Sequence, residues 1–170
     1  MGKGPVVLLG YWIQGKGRIK PRMITYDKIS RKPRVSNSLI GMSLAEFERL
    51  FAEFEMAYTE RASTLRVTRR HPITRQRAIG AGRKHRYALR DRLLMTLFWL
   101  RAYTTYGVIG TLFKLDQSTA EHNIKDVLDT LTGLAGFHPE DPAADVPRLR
   151  SLDEVMDAFP DIRLLLDTKE

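Results

Sequence analysis

Apolar residues recur at helical spacing in four stretches of the chain. Leu44, Phe47, Leu50, Phe51, Phe54 and Tyr58 fall three and four residues apart, which predicts a helix with one apolar face. Ser43-Leu44-Ala45-Glu46 opens it as a capping box, with Met42 and Phe47 spaced as a hydrophobic staple. The aromatic stripe reads as core. Over residues 90–101, Leu93, Leu94, Met95, Leu97, Phe98, Trp99 and Leu100 are apolar nearly all round, as in a central buried helix. A short helix at about 105–114 comes next, followed by the tight connection Leu115-Asp116-Gln117. Ser118-Thr119-Ala120-Glu121 reads as a second capping box, starting a helix to about 132 with Ala120, Ile124, Val127, Leu128 and Leu131 as its buried stripe. A third box, Ser151-Leu152-Asp153-Glu154, precedes Leu152, Val155, Met156 and Phe159 on one face, with Pro160 as the stop. The run Ile162–Asp167 reads as a short strand with nothing to pair with.

The remaining segments lack a period. Residues 1–22 are rich in Gly and Lys, Met23 offers an alternative start, and residues 23–42 with Arg31-Lys32-Pro33-Arg34 read as a basic irregular arm. Pro72 and Gly80-Ala81-Gly82 break residues 61–90 into a flexible loop expected to order on its partner. The expected fold is therefore mainly α: a small helical bundle with a basic loop and an unpaired C-terminal strand. Three regions follow: an arm at 1–42 (1–22 an extension of doubtful origin), a helical domain at 43–135, and a Pro-containing linker with a short helix at 136–170.

Composition narrows the class. At 170 residues and 43% hydrophobic, the chain has the makings of one core. It has no Cys, and His71, His85, His122 and His138 are too far apart for a local ligand pair, so no metal site is expected. No apolar run approaches a membrane span, and Val6–Ile13, broken by Gly10, lacks the cleavage site of a signal peptide. A cytoplasmic protein of a bacterial or archaeal cell is expected.

Charge is divided along the chain. Residues 1–90 hold 20 Lys+Arg and 6 Asp+Glu, whereas residues 91–170 hold 8 and 14. Between Arg61 and Arg90 stand ten basic residues and no acid. A solvated basic face would serve solubility alone, but nine of the ten are Arg, which binds phosphate bidentately. A polyanion fits better, and nucleic acid better than an anionic membrane, because the block has no apolar stripe to insert. The candidate phosphate contacts are Arg69, Arg70, Arg75, Arg77, Arg83, Lys84 and Arg86.

Residues 105–132 have the outline of a helix-turn-helix, with small Gly110 where the two helices would approach. A generic αα-corner fits the same pattern, and the neighbouring basic block favours nucleic acid. With Ile124 at the centre of the buried face, Thr119, His122, Asp126 and Asp129 point outward, flanked by Asn123 and Lys125. Thr119, His122, Asn123 and Lys125 are the candidate DNA contacts of this helix, Asn123 for its bidentate fit to adenine. Asp126 and Asp129 would repel phosphate, so affinity is expected to come from the arm and loop and modest base readout from the helix.

These residues carry a family resemblance. The matching pieces are Arg31-Lys32-Pro33-Arg34 through Ser38-Leu39-Ile40-Gly41-Met42, then Ala45-Glu46-Phe47 and Gly80-Ala81-Gly82-Arg83-Lys84. They continue with Asp91–Arg101 and with Leu112-Phe113-Lys114-Leu115-Asp116-Gln117-Ser118, together spanning about 23–132, with weaker similarity over Ser151–Asp167. The chain thus resembles the N-terminal helix-turn-helix region of DDE-superfamily insertion-sequence transposases. The resemblance implies double-stranded DNA as partner, specifically terminal inverted repeats, and a role in transposition. It also implies that Asp167 matches the first metal-binding Asp of a nuclease domain that the chain lacks, being truncated before it. One carboxylate cannot hold the metal pair, so no catalytic residue is expected, and Mg²⁺ would matter only in a completed chain. Two departures stand out: Lys114 replaces the usual Gly before the turn, and Glu121-His122-Asn123 replaces a basic or aromatic element.

Two functions remain open at this point. One is end recognition within a transposase. The other is an inactive regulator that occupies ends or pairs with full-length transposase or with itself. A nuclease lacks its carboxylates, and an RNA-binding protein lacks a module signature.

Overall fold

A computed structural model describes residues 24–68, 87–134 and 147–166. Eight helices are described: α1 (Tyr26–Ser30), α2 (Pro33–Ile40), α3 (Leu44–Thr68), α4 (Leu89–Ala102), α5 (Tyr106–Phe113), α6 (Gln117–Leu131), α7 (Leu152–Ala158) and α8 (Ile162–Leu166). The mainly helical expectation holds.

The all-round apolar pattern puts α4 at the centre. Leu93, Leu94, Met95, Leu97 and Phe98 are buried, and α1, α2, α3, α5 and α6 all pack against this helix. The first capping box forms as read: Ser43 Oγ accepts from Glu46 N–H at 3.3 Å, and Glu46 Oε2 accepts from Ser43 N–H at 2.7 Å. Those bonds, with the Ser43 hydroxyl, hold the Glu46 carboxyl below its ordinary pKa. At α7, Ser151 Oγ accepts from Glu154 N–H at 3.1 Å, while Glu154 reaches one residue further back, to Arg150 N–H at 2.7 Å.

Four readings of the helices and their bounds need correction. Residues 24–42 are not an irregular arm: α1 and α2 bury Ile29, Val35, Leu39 and Ile40 in the common core, with Ile24 just before them. Pro33 at the first turn of α2 and Gly41 at its left-handed end (φ 75°) are the ordinary punctuation of a short helix. Second, α3 runs on to Thr68, so Arg61 and Arg66 are helical, not part of a loop. Third, α6 begins at Gln117 with Asp116 as N-cap, and Ser118 makes no capping box with Glu121, which instead pairs with Lys125 at 2.6 Å.

The fourth correction concerns the C-terminal run. Residues 162–166 form α8, not a strand: Ile162, Leu165 and Leu166 recur at helical spacing and are all buried. Lys32 Nζ donates to Leu164 O at 2.7 Å at the end of α8, where a cation suits the helix dipole. Residues 147–166 therefore belong to the same core as α1–α6. The expected loop residues 69–86, most of the linker, residues 1–23 and Asp167 lie outside the described residues.

Three helices are joined by one polar cluster. Arg92 on α4 is 2% exposed and its Nη2 pairs with Asp126 on α6, while its Nη1 donates to Tyr58 Oη on α3 at 2.9 Å. Tyr58 Oη in turn donates to Asp126 Oδ2 at 2.9 Å. Arg61 adds bonds to Asp126 Oδ1 at 3.1 Å, Asp126 O at 2.9 Å, Thr130 Oγ1 at 3.1 Å and Asp129 Oδ2 at 2.8 Å. Asp126 thus faces α3 and α4, which corrects its expected outward placement, whereas Asp129 stays exposed as expected and pairs with Arg61 from there. Burial pushes the Asp126 carboxyl up, but the hydrogen bonds from Arg92 and Tyr58 and the charges of Arg92 and Arg61 outweigh it and hold the group below its ordinary range.

Replacing Asp126 leaves the Arg92 guanidinium buried without its counter-charge. Asp126→Asn is expected to destabilise the fold by about 3 kcal/mol at neutral pH, read from urea unfolding midpoints. A carboxyl whose pKa is depressed by folding contributes stability that is present above its unfolded value of about 3.9 and is lost as pH falls through the folded value. The gap between wild type and Asp126→Asn should accordingly narrow in acid. A gap that stays constant down to the fully protonated range would contradict this account.

Candidate nucleic-acid interface

The turn between α5 and α6 is built by close approach. Leu115 N–H donates to Gly110 O at 2.8 Å, and a Cβ on Gly110 would lie 2.6 Å from Leu115 O. Only glycine fits there, as its placement at the helix contact implied. Ile109, Leu112 and Phe113 are fully buried beneath the turn. Thr105 caps α5 by accepting from Val108 N–H at 3.4 Å. Lys114 ends α5 in the left-handed region (φ 51°), a conformation that favours glycine.

On α6, Ala120, Ile124, Val127 and Leu131 of the expected stripe are fully buried, and Leu128 is partly buried beside them. Gln117 is exposed at the first turn, on the α5 side, and Ser118, Thr119, His122 and Lys125 are exposed away from the stripe. His122 Nδ1 lies 2.6 Å from Ser118 O; facing a carbonyl, it carries the hydrogen, and Nε2 is left pointing away from the helix. Lys125 is joined to Glu121, and that hydrogen bond and charge, with a smaller contribution from the Tyr106 phenol, raise the Lys125 pKa above its ordinary value. The same bond and charge lower that of Glu121.

Asn123 departs from its expected role. It is 9% exposed and its Nδ2 donates to Thr119 O at 2.8 Å, so its amide edge is turned inward and does not offer the donor–acceptor pair an adenine would need. Thr119, His122 and Lys125 share the outer side of α6. Gln117 and Ser118 were missed. Assigning Ser118 to a capping box took both residues out of the first helical turn, and Asp116 as a preferred N-cap type was the available signal. The remaining expected contacts, Arg69, Arg70, Arg75, Arg77, Arg83, Lys84 and Arg86, lie outside the described residues.

Two described members of the basic block are engaged within the fold. Arg61 holds Asp126 and Asp129, and Arg90 pairs with Glu48 at 2.9 Å while lying over the Phe51 ring. Among the described residues, no group of three or more His, Asp or Glu is placed to hold a metal ion, and no helix is long and apolar enough to cross a membrane.

A buried helix followed by a short helix, a tight turn and a longer helix with its N-terminal residues exposed defines a helix-turn-helix, a DNA-binding motif. Residues 88–135, which contain α4, α5 and α6, match the family model for the helix-turn-helix of DDE superfamily endonuclease. The resemblance to the N-terminal helix-turn-helix region of DDE transposases therefore holds across these three helices, and the matched model is a helix-turn-helix, not a catalytic domain. No curated protein and no solved structure matches the chain.

The turn geometry yields opposite expectations for two neighbouring positions. Gly110→Ala should cost about 2 kcal/mol by forcing α5 away from the turn. Lys114→Gly should stabilise by about 1 kcal/mol by relieving the left-handed backbone. Thermal unfolding of both variants checks this, and a destabilised Lys114→Gly would contradict the account of the turn.

Proposed function

We propose that this chain recognises the ends of a mobile DNA element, binding duplex terminal inverted repeats through α6. The observation that carries this reading is the coincidence of the DDE-superfamily match with a helix-turn-helix whose longer helix leaves Gln117, Ser118, Thr119 and His122 exposed at its start. Recognition helices touch base edges with their N-terminal residues. Gln117 can pair with adenine through its amide, Thr119 can contact a base or a thymine methyl, and His122 presents Nε2. The Glu121–Lys125 pair is exposed and worth little by itself, so Lys125 can exchange its partner for a phosphate at small cost. The arginines between 69 and 86 add affinity without sequence preference. The proposed role is recognition, with the chemistry of cleavage and joining left to catalytic carboxylates elsewhere.

The test is titration of labelled duplexes, carrying either the element's terminal repeat or a scrambled sequence, over a range of salt. Affinity should fall steeply with salt on both, and the repeat should be bound more tightly. Gln117→Ala and His122→Ala should each cost about 1–2 kcal/mol on the repeat and leave scrambled duplex unaffected. Equal retention of repeat and scrambled duplex by the wild type would remove the sequence-directed part of the reading.

A further inference from the structure

The corner between α4 and α5 is closed by a segment from outside the helix-turn-helix match. Residues 147–150 run beside 103–105 in a parallel β-bridge between Thr104 and Leu149. Leu149 N–H donates to Tyr103 O at 3.0 Å, Thr105 N–H donates to Leu149 O at 3.2 Å, and Thr104 Oγ1 donates to Leu149 O at 2.8 Å. Within this strap, Arg148 is held from two sides. Its Nε and Nη2 donate to Thr104 O at 3.2 and 3.0 Å, and its guanidinium lies 5.7 and 6.0 Å from the ring centres of Tyr103 and Tyr106. Tyr106 is itself stacked on Trp99 at 5.5 Å.

This leaves a guanidinium whose orientation is set before any ligand arrives. Two of its N–H groups serve Thr104 and the other three do not. Arg150 is exposed, and in the extended pairing of a bridge residues two apart share one side. Among the described residues, neither Arg148 nor Arg150 forms an ion pair, in contrast to Arg61, Arg90, Arg92 and Arg163. The strap also borders the exposed side of α6. Arg148 rests on Tyr106, and the next residue, Gly107, stands so that a Cβ there would be 3.7 Å from Gln117 Oε1.

We propose that Arg148 and Arg150 hold the DNA phosphate backbone beside the groove that α6 enters, which makes residues 147–150 part of the interface. The proposal rests on the DNA-binding reading above. In a helix-turn-helix the first helix crosses the sugar-phosphate backbone next to the groove, and here that helix is α5, whose N-terminal end the strap covers. The planar fork of Arg matches a phosphate bidentately, and a fork already fixed by a carbonyl and two rings loses little freedom on binding. Phosphate contacts of this kind set register and carry no sequence information.

The experiment compares wild type with Arg148→Met, which keeps a side chain over the two tyrosines, and with Arg150→Ala, an exposed position whose charge lies near the Glu154 carboxylate without forming an ion pair. Dissociation constants are measured on repeat and scrambled duplex across a salt series. Each variant should bind both duplexes about tenfold more weakly, and the slope of log K against log salt should flatten by about 0.9 per lost contact. Wild-type binding with unchanged affinity and slope in both variants overturns the proposal and leaves the DNA-binding reading intact. Failure of wild type to bind any duplex overturns both. Should Arg148→Met fail to fold, Arg150→Ala alone decides.

Discussion

The Arg92–Asp126 pair is the interaction on which the arrangement of the longer helix of the helix-turn-helix, α6, depends. A guanidinium 2% exposed within a helical core requires a counter-charge and hydrogen-bond partners, which the two Nη groups of Arg92 find while its buried Nε does not. Asp126 supplies the charge, Tyr58 takes a second N–H, and Arg61 closes the other side of the carboxylate. Those four residues come from α3, α4 and α6, so satisfying one buried cation fixes the rotation of α6 about its own axis. That rotation decides which side chains of α6 are exposed. The polar cluster, in the C-terminal half of α6, thereby helps to fix which side chains are exposed nearer its start, Ser118, Thr119, His122 and Lys125.

The cluster also changes what the basic charge of the chain can do. Cations that look alike in the sequence divide into those that hold the fold and those that face outward. Arg61 and Arg92 neutralise Asp126 and Asp129, Arg90 pairs with Glu48, Arg101 donates to Ser38 O at the end of α2, and Lys32 caps α8. Lys32 and Arg101 serve carbonyls near helix C-termini, where a positive charge suits the dipole, and Arg92 offsets the desolvation it shares with Asp126. The two acids expected to repel DNA have become the partners of those cations. A net charge summed over a segment therefore overstates the charge available to a polyanion.

How much of this was legible in the sequence follows from helix length and from what each periodicity can specify. The stripes of α3, α4 and α6 span three or more turns, enough repeats to identify a helix and its buried side. α1 and α8 have five residues each, so one apolar pair is all their period can show, and α8 resembled a strand. Asn123 was misplaced for a subtler reason. Ala120, Val127 and Leu131 all fall on the Asn123 side of Ile124, so the buried face is centred off Ile124 and takes in its neighbour. Asp126 lies at the flank of that face, and no single-helix pattern could reveal that Arg92 waits opposite. Pairing across helices is a property of the packed fold.

The same reasoning bears on how a short recognition surface can suffice. Among the described residues, the exposed side of α6 carries no arginine and a lysine already matched by Glu121, so the helix supplies shape and hydrogen-bonding groups more than charge. Such a surface discriminates between bases only if it is held at a fixed depth and angle, because a hydrogen bond to a base edge weakens steeply with misalignment. The left-handed backbone at Lys114 and the contact of Gly110 with Leu115 set that angle from the turn, and the Asp126 cluster sets it from the C-terminal half of α6.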